Sequence, residues 1–158
     1  MFGAADGSYA ETVKAKVSQL VEVPRGMSLD VASSLYVAWP TGYAALHYRA
    51  RLQPGEWVLV HAGAGGVGLA AVQLAKVMGG RVIAAAGSAD KMEVCRSLGG
   101  ADHVVDYRDP NWITDVKRIT GGHGVDVVYD PVGMIVPSLK VIAWNGRIVV
   151  RKEVTEEE

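Results

Sequence analysis

Gly63-Ala64-Gly65-Gly66-Val67-Gly68 is the stretch of this sequence whose residue types and spacing specify a chemistry, the binding of a diphosphate. It matches the pattern G-x-G-x-x-G. The first glycine permits a tight turn, the second brings backbone amides close to a pyrophosphate, and the third lets a helix pack against its strand. A helix N-terminus at that point adds roughly half a positive charge where the diphosphate sits. Further along, Ala86-Gly87-Ser88 occupies the corner where NAD-preferring sites place an Asp or Glu for the ribose 2'-hydroxyl. No carboxylate stands there to repel a 2'-phosphate. Ser88 can donate a hydrogen bond and Lys91 can supply positive charge, so the corner favours NADPH over NADH. Asp90 is the neighbouring carboxylate and is expected to cap the helix at Lys91.

No other constellation competes. There is no Ser/His/Asp set or acidic pair, and the four histidines, His47, His61, His103 and His123, lack ligand spacing and read as structural or solvent-facing. Trp39, Trp57, Trp112 and Trp144 read as core or edge packing. Cys95 is the sole cysteine, which excludes an internal disulfide and a thiolate cluster. Neither a catalytic residue nor a metal ligand is assigned. The net charge of -1 offers no basic field for nucleic acid or an anionic membrane, so a small-molecule partner is expected. No apolar run approaches the roughly 20 residues of a membrane span, and no export leader is visible, so the chain reads as cytoplasmic.

The elements that must position the motif follow from periodicity. Val58-Leu59-Val60 is an apolar strand before the Gly-rich turn, and Val67, Ala70, Ala71, Leu74 and Met78 share one face of the helix after it. Val82 to Ala86 is a second strand, followed by a helix with a Met92, Cys95 and Leu98 stripe. His103 to Tyr107 is a third, after which Asp109 and Pro110 open a helix carrying Ile113, Val116 and Ile119. Val125 to Tyr129 and Arg147 to Val150 supply strands four and five, with a short helix over Ser138 to Ala143 between them. Upstream, Tyr9 to Val23 is β-prone. Ser28 caps a helix to about Ala38, which Thr41 to Arg51 extends past a break at Pro40.

Strands without polar alternation are buried on both faces, and helices between them make right-handed crossovers in a parallel sheet. The fold class is therefore α/β, a doubly wound parallel Rossmann sheet that runs out after its fifth strand where six is usual. Arg147 to Val150 would lie at an open edge, a template for homo-oligomers such as a dimer. The Gly-rich opening and the closing Glu156-Glu157-Glu158 look like the ends of a fragment.

With the Gly loop in hand, its flanks become recognisable: Arg49 to Glu56, Val58 to His61, and Val67 to Lys76. They resemble the quinone oxidoreductase (zeta-crystallin-like) branch of the zinc-independent medium-chain dehydrogenases/reductases, over roughly Gly7 to Val150. The resemblance implies that residues 1–27 are a remnant of an N-terminal GroES-like catalytic domain, 28–150 the NAD(P)-binding domain and 151–158 an acidic tail. It implies that Thr41 contacts the nicotinamide end, Gly65, Gly66 and Val67 the pyrophosphate, and Ser88, Lys91 and Tyr107 the 2'-phosphate. Asp130-Pro131-Val132-Gly133 resembles the family's turn past the nicotinamide. The sequence departs from the family by an extra residue at Gly99-Gly100-Ala101 and by a short segment between Gly133 and Ser138. Ala38 stands where many relatives have threonine, and Arg151-Lys152-Glu153 replaces a glycine-rich continuation.

The implied activity is hydride transfer from NADPH to a quinone or another conjugated carbonyl acceptor, with this chain inactive alone. Two alternatives are an enoyl reductase with the same chemistry and a non-catalytic NADPH-binding module.

Overall fold

The computed structural model describes residues 1–151. Five parallel strands form the central sheet: β3 (Trp57–Val60), β4 (Arg81–Ala86), β5 (His103–Asp106), β6 (Val125–Asp130) and β7 (Ile142–Val150), in spatial order β5-β4-β3-β6-β7. The order reverses between β3 and β6, so a crevice opens beyond their carboxyl ends, where doubly wound sheets take ligands. Each crossover is helical: α2 (Gly66–Val77), α3 (Ala89–Ser97), α4 (Trp112–Ile119) and the single turn α5 (Ile135–Ser138). The expected doubly wound topology is therefore present.

Both faces of the sheet are covered, which is why its strands carry no polar alternation. Val58, Val60, Val82, Ala84 and Tyr129 pack with Leu46, Val72 and Leu74 on one side. Leu59, Ile83, Val105 and Val128 pack with Trp112 and Val116 on the other. α1 (Leu29–Tyr43) lies over α2, with Gly42 placed so that a methyl group would press on Leu74 and Ala71. Ser28 caps α1 as expected, but Pro40 sits inside the helix, which then widens into a π-helical segment over Ala44–Arg49.

Several expectations are corrected. Within the β-prone stretch Tyr9 to Val23 the strand is confined to β2 (Leu20–Val21), which pairs antiparallel with β1 (Phe2–Gly3). The helix expected over Ser138 to Ala143 is confined to α5, because Ile142 already pairs with Val125 in the sheet. α4 begins at Trp112, since Asp109 Oδ1 accepts from the amide of Asn111 in a local turn instead of capping a helix. Leu98 is exposed and not part of a buried stripe, and Trp144 is 96% exposed. Of the acidic tail expected at 151–158, the residues from Lys152 on lie outside the described residues.

Candidate functional site

The Gly-rich turn leaves β3 through His61 and Ala62. Ala62, not Gly63, takes the left-handed conformation, at φ 49°. The tight-turn role expected of Gly63 is therefore corrected. Gly63 is needed for packing, since a methyl group there would lie 2.9 Å from the Ala84 side chain and 3.1 Å from Cys95 Sγ. Its amide donates to Ala85 O and that of Gly65 to Ala62 O, both at 2.9 Å. At Gly68 any side chain would collide with the Ala62 carbonyl, so helix and strand close as tightly as the spacing implied.

Gly65 and Gly66 behave differently. A methyl at Gly66 meets nothing within 4 Å, and at Gly65 only Ala62 O at 3.3 Å. Gly65 is the N-cap of α2 and, having no side chain, caps none of the first-turn amides that a helix leaves without intrahelical partners. This rim opens on a cleft of about 370 Å³ lined by Ala62, Ala64, Gly65, Ala86, Gly87, Lys91 and Tyr107. A group that fills it meets aimed amides and the positive end of α2. The bare Gly65–Gly66 rim thus has the shape and donors for a diphosphate.

The far wall comes from β4 and β5. Ser88 caps α3 by accepting from the amide of Lys91 at 3.3 Å, which corrects the capping role expected of Asp90. Its hydroxyl hydrogen stays free to donate. Lys91 is exposed on the cleft wall, in the first turn of α3. Tyr107 lies against Gly87, whose missing side chain leaves room for the phenol ring. Asp106, paired with Ala86 across the ladder, is the carboxylate that sequence reasoning passed over. Arg108 clasps it through Nη2 at 2.9 Å and Nε at 3.1 Å, and these hydrogen bonds hold its carboxyl below the usual range. No uncompensated negative charge therefore faces the Lys91 corner from that strand.

At the end of β6, Asp130 is fully buried, and its Oδ1 accepts from the amides of Val132 (3.1 Å) and Gly133 (2.8 Å). Gly133 has φ 87°, a conformation favouring glycine. Beside it, His61 is fully buried, 2.9 Å from Ser138 Oγ and edge-on to Trp112. Burial pushes the His61 pKa down, opposed by the Asp130 charge. The structure thus gathers Gly65, Lys91 and Tyr107 into one cleft, with Ser88 capping the same helix. It places Val132 and Gly133 at the adjacent strand end, and Thr41 on α1 with its hydroxyl donating back to Val37 O at 2.6 Å. His61 and Ser138 carry no spacing signal, because 77 positions separate them.

Residues 66–151, more than half of the chain, match the zinc-binding dehydrogenase family. The chain belongs to that family. Quinone oxidoreductase-like protein 2 of Rattus norvegicus is 41% identical over 146 residues, covering 90% of this chain and 41% of the relative. Two solved structures superpose closely. The enoyl reductase CurK has a TM-score of 0.79 at 38% identity, over 89% of this chain and 42% of that one. A mycobacterial protein solved with NADPH has a TM-score of 0.82 at 38% identity, over 91% and 45%. The chain spans about two fifths of the quinone oxidoreductase-like relatives. These matches bear out the medium-chain dehydrogenase/reductase resemblance read from the flanks of the Gly loop. No group of three His, Cys, Asp or Glu side chains gathers as a metal site among the described residues. Nor is any helix among them long and apolar enough to cross a membrane.

Proposed function

We propose that this chain is the NADPH-binding part, over residues 28–150, of a medium-chain oxidoreductase that passes hydride to a quinone or another conjugated carbonyl compound. The observation that carries the reading is the single cleft that joins the bare Gly65–Gly66 rim to Lys91 and Tyr107. The NADPH complex of the mycobacterial neighbour, at 38% identity, supports it.

In this reading the amides of Gly66 and Val67 donate to the diphosphate, while Gly65, whose own amide is held by Ala62 O, lets the diphosphate approach closely. Gly63 lets the turn pack against Ala84 and Cys95, and Gly68 lets the helix close on Ala62, which together present those amides. Lys91 supplies charge to the 2'-phosphate, while Ser88 and Tyr107 donate hydroxyl hydrogens. Arg108 removes the repulsion that Asp106 would otherwise exert. Thr41, Val132 and Gly133 border the nicotinamide end. NADPH, when bound, supplies the hydride; the protein's part is to fix its orientation and keep water away.

The enoyl reductase reading shares this chemistry and differs in the acceptor; the CurK likeness favours it specifically. A purely NADPH-binding module would keep the cleft and need no acceptor.

Lys91→Glu tests the assignment. It should weaken NADPH by about tenfold or more, the worth of one lost charged contact, and leave NADH binding nearly unchanged. NADH binding as tightly as NADPH, with no response to the substitution, would overturn it.

A further inference from the structure

The polar groups behind the site form a chain that the proposed binding roles do not use. Ser138 Oγ donates to Met134 O at 2.6 Å, so its single hydrogen is committed. The 2.9 Å contact with His61 Nε2 must then run from the imidazole N–H to the hydroxyl oxygen. This fixes the neutral His61 as the Nε2–H tautomer. Both side chains are completely buried, where an unmade hydrogen bond is costly and a made one is rigid. His61 immediately precedes Ala62, the left-handed residue that opens the diphosphate turn. Met134 and Ser138 follow the Asp130–Gly133 turn and belong to α5 and its N-cap. The chain from His61 through Ser138 to Met134 therefore bolts the loop after β3 to the loop after β6.

We infer that His61 and Ser138 are positioning residues that set the separation of these two loops, and with it the fit of a dinucleotide long enough to touch both. The inference rests on the NADPH reading. Only a ligand that spans both loops feels the bolt. One confined to the adenosine cleft, with Lys91 and Tyr107, does not.

The test compares NADPH with 2',5'-ADP, which carries the adenosine and 2'-phosphate but lacks the nicotinamide half. Calorimetric titrations use the full chain and its Ser138→Ala, His61→Leu and His61→Gln variants, with circular dichroism establishing that each is folded. Ser138→Ala and His61→Leu should weaken NADPH by about tenfold, the loss of one buried hydrogen bond, and leave 2',5'-ADP within about twofold. His61→Gln, whose amide can donate from the position of Nε2, should recover most of the NADPH affinity. If Ser138→Ala does not fold, the two His61 variants decide. Unchanged NADPH affinity, equal weakening of both ligands, or no recovery by glutamine would overturn the inference while leaving the cofactor reading intact. Wild-type protein that binds neither ligand would overturn both.

Discussion

Four glycines of one loop divide into two kinds. Gly63 and Gly68 are required by contacts within the protein, whereas Gly66 faces open space and a methyl at Gly65 would approach only Ala62 O. Gly68→Ala should therefore lower stability by about 1–3 kcal/mol, the usual cost of overpacking, read as a fall in Tm. Gly66→Ala should leave Tm unchanged yet sharply weaken NADPH. Equal effects of the two substitutions on Tm would contradict this division. The glycine spacing was legible because backbone access leaves a mark in sequence. The role of Gly63 was not, since it depends on Ala84 and Cys95, which approach only in the folded chain. Buried His61 adds a pH signature. Its folded pKa lies below the ordinary value, so its contribution is complete above about pH 6.5 and falls as the pH drops from there toward the folded pKa. Thermal melts between pH 7.5 and 5.5 should show a steeper loss for the wild type than for His61→Gln; parallel curves would contradict it.

Among the elements, β3 and β4 were readable from the apolar runs Val58–Val60 and Val82–Ala86, and β6 from Val127–Tyr129 despite Asp126, because strands buried on both faces are predominantly apolar. β7 was readable only in its second half. Its first residue pairs with Val125, and the ladder then skips to Arg147 opposite Val127, with Asn145 in the left-handed region at φ 65°. Local propensity cannot announce such an excursion, which exists because α5 delivers the chain early. Arg147 then anchors the strand. It donates from Nη1 and Nη2 to Glu56 at 2.8 and 2.7 Å and from Nε to Ala50 O at 2.9 Å. Arg147→Met should cost about 1–2 kcal/mol of stability, discounted for partial exposure. The same guanidinium holds the Glu56 carboxyl below its usual range, so the contribution is present above the ordinary carboxylate pKa and is lost as pH falls through the lowered one. The stability difference between wild type and Arg147→Met should therefore shrink in acid; a difference that stayed constant to pH 3 would sink the assignment.

At the scale of the whole molecule, β7 has a sheet neighbour on one side only among the described residues, and exposed Trp144 stands in it. An uncovered edge of this kind favours association, and self-association through β7 is the proposed state. Light scattering after gel filtration should report a dimer, and a clean monomer at high concentration would count against it. The chain corresponds to about two fifths of its quinone oxidoreductase-like relatives, and the role proposed for its cleft is to hold the adenosine and diphosphate portion of the cofactor. It should accordingly bind NADPH yet not reduce 9,10-phenanthrenequinone; measurable turnover would refute that separation. The central claim is that the rim at Gly65 and Gly66 is a diphosphate cradle continuous with the Lys91 and Tyr107 wall. Isothermal calorimetry of the chain with NADPH tests it most directly. Saturable binding of one NADPH per chain, tighter than NADH under the same conditions, is expected. Absence of saturable binding with either dinucleotide would contradict it.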